Sequence, residues 1–301
     1  MLIVILLCIT PFSADKVEII KENGESIVQL SGNVVIEDEK AKITCAEAHL
    51  NETKDYVILI QEVKIVDAHG QINADFARYH FKDKKGYLKG NVSLKRTDQI
   101  ITSDSLYYSG LEDHVEMFGN VKIDDHENNL VAYGARGWYD LQEDEGYLVD
   151  RPFLDIIREN REPIKIHALR FKLNNSSNVF YGFDSVVALI DSITVHCDTF
   201  VYDLNTDHGS MTRPLIVEDK NELKGESGQF RMNNKSIESL SVQKGMSQYY
   251  TKEGSKNIIE GETINIIFKD GKASHIIVEG KPKGVLHLKQ REENVSDQES
   301  E

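Results

Sequence analysis

The sequence predicts an all-β chain of about sixteen strands, built from eight repeats of about 29 residues. Three observations predict it. An eight-residue frame recurs eight times along the chain. A second element with strict two-residue alternation recurs between the frames, and helical periodicity is absent.

The frame is clearest as Ile72-Asn73-Ala74-Asp75-Phe76-Ala77-Arg78-Tyr79, and it restarts at Ile43, Ile101, Ala132, Ile166, Val195, Leu223 and Ile259. Its first position is aliphatic or Ala throughout. Its third is small: Cys45, Ala74, Ser103, Gly134, Ala168, Cys197, Gly225 and Gly261. Its fourth is acidic at Asp75, Asp104, Asp198, Glu226 and Glu262. Its eighth is aromatic or aliphatic: Leu50, Tyr79, Tyr108, Tyr139, Leu173, Tyr202, Phe230 and Ile266. Four columns held in register over eight copies define a true repeat.

The second element is clearest as Gly32-Asn33-Val34, Gly90-Asn91-Val92 and Gly119-Asn120-Val121, with Glu62-Val63 in the same place in another copy. After it, Val34/Ile36, Val63/Ile65, Val92/Leu94 and Val121/Ile123 alternate with charges such as Glu37, Lys64, Lys95 and Lys122. That period marks a strand with one dry face and one wet face. Leu88 and Met117 extend the dry face back through the glycine. Inside the frame the apolar parity changes, from positions one and three to positions six and eight. An inserted residue has this effect, so a bulge is expected near the acidic position. There the carboxylates either satisfy backbone N–H groups or stand solvated. Polar runs such as Asn51-Glu52-Thr53-Lys54-Asp55 and Lys82-Asp83-Lys84-Lys85-Gly86 supply the turns.

A length of 301 residues and 40% hydrophobic content suit a large β core. Five prolines, with no low-complexity run before the last dozen residues, argue against extensive disorder. A net charge of −15 excludes general nucleic-acid binding, which depends on cations neutralising phosphates. Residues 1–10, MLIVILLCIT, are too short to span a ~30 Å hydrocarbon core. They read as the apolar part of an export signal cleaved near Ala14, or otherwise as a buried first strand. The expected organisation is a signal over 1–14, one β domain over 15–289 and a disordered tail over 290–301.

These motifs resemble the OstA-like family, which includes LptA, LptC and the periplasmic part of LptD. Its pattern of aliphatic-x-Ala-Asp-x-small-x-Tyr-Asp, a turn, and Gly-Asn-Val-x-Ile stands here as Ile72 to Tyr79 followed by Gly90-Asn91-Val92-Ser93-Leu94. It recurs as Ser103-Asp104-Ser105-Leu106-Tyr107-Tyr108 followed by Gly119-Asn120-Val121-Lys122-Ile123. The likeness runs best from about residue 28 to 150. It implies an elongated, incomplete antiparallel β-jellyroll, a folded-over sheet whose interior takes lipid A acyl chains in the periplasm. The ligand it implies is lipopolysaccharide or a similar amphiphilic lipid. The protein partners it implies are other Lpt-type jellyroll proteins, or a second copy joined through edge strands. On this reading the groove is lined by Val34, Ile36, Val63, Ile65, Val92, Leu94, Leu106, Val121, Ile123 and Phe200. Each buried CH₂ contributes ~0.8 kcal/mol, so one twelve-carbon chain gives roughly 8–10 kcal/mol gross, without any charged contact. The free edges are expected near residues 26–37 and 273–289, where an unclosed sheet recruits another strand.

Other chemistries find less support. Cys45 and Cys197 are expected as buried thiols, because a disulfide needs Cα atoms within about 7 Å. His196-Cys197-Asp198 mixes metal-ligand types, but neighbouring strand residues point to opposite faces, so neither metal nor cofactor is expected. No nucleophile elbow or phosphate-cradling loop is present, and no enzyme activity is expected. Trp138 and the tyrosine column read as core packing, not as a sugar platform. The competing architecture is a right-handed β-solenoid, as in a surface adhesin, in which parallel strands coil.

Overall fold

In the computed structural model, residues 11–287 are described, except 23, 38–40, 52, 69, 252–253 and 270. Residues 1–10 of the expected export signal and the tail from 290 lie outside the described residues. The described residues hold 24 strands and no helix. The chain divides into two compact units, Met1–Ala188 with Val201–Thr206, and Leu189–Phe200 with Asp207–Glu301.

In the first unit eight long strands follow one another as an antiparallel meander: Glu25–Glu37, Ala41–Asn51, Tyr56–Asp67, Gly70–His80, Lys85–Lys95, Gln99–Ser109, His114–Asp125 and Leu130–Asp140. Every pairing is antiparallel, so the parallel solenoid does not stand. These strands run for 11–13 residues, because pairing continues through the irregular positions. Past Leu130–Asp140 the ladder splits. Glu145–Val149 and Phe153–Ile156 share that strand as partner, on either side of Asp150-Arg151-Pro152. The two residues before the proline take positive φ, and proline cannot donate to a ladder. Such splits raise the strand count above the expected sixteen.

The expected irregularity is present at one level of every long strand. Between Gly70–His80 and Lys85–Lys95 the register passes from Asn73↔Ser93 to Phe76↔Lys89. Two residues, Ala74 and Asp75, thus face three, Gly90, Asn91 and Val92. The extra residue therefore belongs to the Gly-Asn strand and not to the acidic frame. Gly90 and Asn91 take φ of 78° and 47°, a left-handed pair repeated at Gly32-Asn33 and Gly119-Asn120. The carboxylate opposite accepts a bond from that asparagine side chain: Asn91 to Asp75 at 2.9 Å, Asn33 to Asp15 at 2.9 Å and Asn120 to Asp104 at 3.0 Å. The two sequence motifs are halves of one exposed clasp. Along this line the sheet creases, giving each strand two arms.

The second unit repeats these devices. Ser236–Tyr250 and Lys256–Lys269 form its longest pair, and Val242 and Ile264 face one another across it, fully buried. Leu215–Glu218 pairs with Asn221–Lys224, and His208–Thr212 with Ser227–Asn233. The first members of these two pairs are separated at Arg213-Pro214. Here the clasps become ion pairs, Glu226 with Lys244 at 2.8 Å and Asp198 with Arg213.

The amino-terminal edge differs from expectation. Glu25–Glu37 is covered by Lys16–Glu22, paired from Lys16↔Ser31 to Glu22↔Glu25, and by Phe12–Ser13. The edge is Lys16–Glu22, which exposes Val17, Ile19 and Ile20. At the other end Lys272–Glu279 and Lys283–Leu286 flank Lys256–Lys269, exposing Ile276, Ile277, Val285 and Leu286.

Candidate functional site

The first unit contains an apolar trough formed by two rows of side chains, one on each arm of the creased strands. One row joins the frame's first column to the aliphatic after Gly-Asn-Val. It runs in register as Ile36↔Ile43↔Ile65↔Ile72↔Leu94↔Ile101↔Ile123. The other runs as Leu30↔Ala48↔Leu59↔Ala77↔Leu88↔Leu106↔Met117, and then over Gly137 to Leu148 and Phe171. Ile65, Ile72, Leu94, Ile101 and Ile123 of the first row line the same cavity as Leu59, Leu88, Leu106, Met117 and Leu148 of the second. The cavity has a volume of about 160 Å³.

The crease explains the small third column. Val34 faces Cys45, Val63 faces Ala74, Val92 faces Ser103 and Val121 faces Gly134. A fully buried valine on each Gly-Asn strand leaves room for little opposite it. A third row sets Tyr79 and Tyr108 on either side of Gly86, and Tyr139 opposite Gly146. The Tyr79 and Tyr139 rings lie against these glycines, 3.4 Å from where a Cβ would stand at Gly86 and Gly146, an ordinary van der Waals distance.

Of the residues expected to form a groove, Ile65, Val92, Leu94, Leu106 and Ile123 line this cavity. Val34, Val63 and Val121 are buried at the crease, and Ile36 lies in the first row beside Ile43. Phe200 belongs to the second unit, where it stacks on Phe230 at 5.3 Å. The lining also takes in Tyr79, Tyr108 and Tyr139, which the sequence reading assigned to core packing. Trp138, read the same way, stacks on Tyr147 at 5.0 Å, and both border the cavity. The signal for these rings was their partnership with glycine, visible only once strands are paired.

Polar groups are few and are gathered by the turns. Asn175 donates to the Tyr139 hydroxyl at 2.8 Å, and that hydroxyl donates to Asp144. Burial pushes the Tyr108 and Tyr139 phenols up to about 12, with the Asp144 contact adding to the effect at Tyr139. Asp144 is held below the usual carboxylate range, chiefly by the Tyr139 hydroxyl. Lys172, also in the lining, forms an ion pair with Glu145 at 2.6 Å and keeps that carboxyl low. Cys45 and Cys197 are buried free thiols, raised by desolvation to about 11 and about 12. The His196-Cys197-Asp198 run does not converge: Cys197 is buried, His196 is exposed, and Asp198 is paired with Arg213.

Fold and site together define an all-β repeat protein whose creased antiparallel sheet surrounds an apolar trough. Residues 9–147 match the family described as OstA-like protein. Among solved structures it is similar to LptH from Pseudomonas aeruginosa, the LptA homologous periplasmic component of the lipopolysaccharide transport device. The identity is 13%, over 44% of this chain and 74% of that chain, with a TM-score of 0.21. No curated protein matches the chain.

Proposed function

We propose that the first unit holds the acyl chains of lipopolysaccharide, or of a similar amphiphilic lipid, as a non-enzymatic link in lipid transport to the outer membrane. The observation that carries this reading is the pair of aliphatic rows facing one another across an open cavity. Most of its walls come from the stretch that matches the OstA-like family, and Leu148, Leu154, Phe171 and Phe180 complete them from beyond it. A lipid with several chains needs a dry path through water, and such walls provide it at ~25 cal/mol per Å² of apolar surface removed from solvent. The place of action on this reading is the periplasm. The exposed apolar edge strands Lys16–Glu22 and Lys272–Glu279 serve as docking strands for a second copy or a related jellyroll protein.

A photo-crosslinking residue placed at Leu106 tests the lipid reading in cells. Lipopolysaccharide adducts are expected at Leu106 and not at exposed Lys95, the end of the neighbouring strand. Absence of adducts at Leu106 in a normally expressed variant would falsify it.

A further inference from the structure

We infer that Arg96 recognises the anionic headgroup, a phosphate ester or comparable oxyanion, of an amphiphile whose chains lie in the trough. The inference rests on the lipid reading above and names the chemistry of the ligand's polar end. Three cationic residues line the cavity: Arg78, Arg96 and Lys172. Two are already engaged. Arg78 lies over the Tyr56 ring at 4.6 Å, and Lys172 is ion-paired with Glu145 at 2.6 Å. Among the described residues the Arg96 guanidinium has no hydrogen-bond or ion-pair partner, although its side chain is only half exposed.

Its position suits that task. Arg96 and Gln99 belong to the turn that ends the Leu94/Ile101 arm, and the Arg96 backbone N–H donates to the Gln99 carbonyl at 2.8 Å. Tyr139 and Asn175 stand at the far end of the other arm, yet all four line one cavity. Folding at the crease has brought both arm ends to the same opening. Leu94, Ile101 and Leu141, in the same lining, are apolar. A headgroup placed there meets amide and hydroxyl groups from both arms, with the chains directed between the rows. Two carboxylates in the surroundings are occupied, while Asp98 in the same turn is exposed. Asp125 accepts from the Asn128 backbone and side chain, and Asp144 accepts from Tyr139, Ser176 and Asn175. Arg96 adds to the effects that hold Asp144 ionised, so its charge is felt across the opening. A guanidinium fork matches a phosphate bidentately, which an ammonium cannot do.

Binding of dodecyl phosphate and dodecyl maltoside to the full chain tests this. Trp138, the one tryptophan, borders the cavity and reports occupancy by fluorescence. Arg96→Gln is expected to weaken dodecyl phosphate about tenfold, the scale of one charge-assisted pair, and to leave dodecyl maltoside unchanged. Arg96→Lys retains an intermediate affinity, which separates charge from fold. The wild-type affinity for the phosphate falls with added salt, and the Arg96→Gln affinity does not. Equal losses for both amphiphiles, or no loss for the phosphate, overturn the headgroup assignment while leaving the trough in place. Failure of both amphiphiles to bind the wild type removes the lipid reading itself.

Discussion

At the scale of single residues, the crease depends on backbone that only a few side chains tolerate. Gly90 sits at φ 78°, and a Cβ there would run into the Asp75 carboxylate. Asn91, next in the chain, closes the clasp with that same carboxylate. Where the clasp is absent, the charges change together. The left-handed pair is kept there with other residues, Gln61-Glu62 opposite Ala46 and Asp184-Ser185 beside Leu169, and neither Ala46 nor Leu169 supplies a carboxylate. The clasp bond is exposed and worth little by itself, whereas the glycine bears both the φ constraint and the close approach. Gly90→Ala should therefore destabilise the protein by about 1–3 kcal/mol, and Asp75→Ala by under ~1 kcal/mol. Urea unfolding midpoints measure both. A larger loss at Asp75 would mean that the carboxylate, and not the glycine, maintains the crease.

At the scale of elements, the stacked turns and the edge strands control what the sheet can join. Each turn at one end of the first unit bonds to the next: Gly110 to the Lys84 carbonyl at 2.8 Å, Leu141 to Asp113 at 2.8 Å, and Asn175 to Asp144 at 3.0 Å. The accepting residues take positive φ, which Asp tolerates better than most side chains, and the polar turn runs announced them. These bonds saturate the ends of the strands but not the sides. Lys16–Glu22 and Lys272–Glu279 keep unpaired backbone and exposed aliphatics, so association is expected to proceed edge to edge. Ile19→Lys places a charge on an exposed edge position without touching the trough, and edge charges oppose strand addition. Sedimentation across a concentration series should show oligomers in the wild type and their loss in this variant. A wild type that stays monomeric at high concentration removes the docking role. Strand positions and the level of the crease were legible in the sequence, because period-two alternation and a repeated Gly-Asn survive in single copies. The amino-terminal edge was not. Lys16–Glu22 belongs to no complete frame, and its KVEIIKE carries too short an alternation to reveal a partner at 25–31. The split at Asp150-Arg151-Pro152 was equally hidden, since both halves keep the repeat's aliphatic columns.

At the scale of the whole molecule, what matters is whether facing rows meet or stay apart. The columns of aliphatic residues were readable, but any packed sandwich shows the same columns. The distinction lies in how residues of different size face one another. Ala48 and Ala77 lie to either side of Leu59 in the second row, and Gly137 lies between Met117 and Leu148. That order emerges only after pairing, which is why Val34, Val63 and Val121, buried at the crease, read in the sequence like the rows that line the trough. With a formal charge of −15, the chain repels anionic ligands at long range, so their attachment must come from tails and local cations. A neutral homologous series isolates the tails. Octyl, decyl and dodecyl maltoside should bind with affinity rising up to about fourfold per added CH₂, as ~0.8 kcal/mol of transfer free energy requires. The rise should be insensitive to salt, because no ion is exchanged. Leu106→Asp, which places a charge in the second row, should flatten it by removing the dry wall. Titration by Trp138 fluorescence or calorimetry gives the slope directly. A slope near zero in the wild type would show that the walls close on one another and that chain length has nowhere to register.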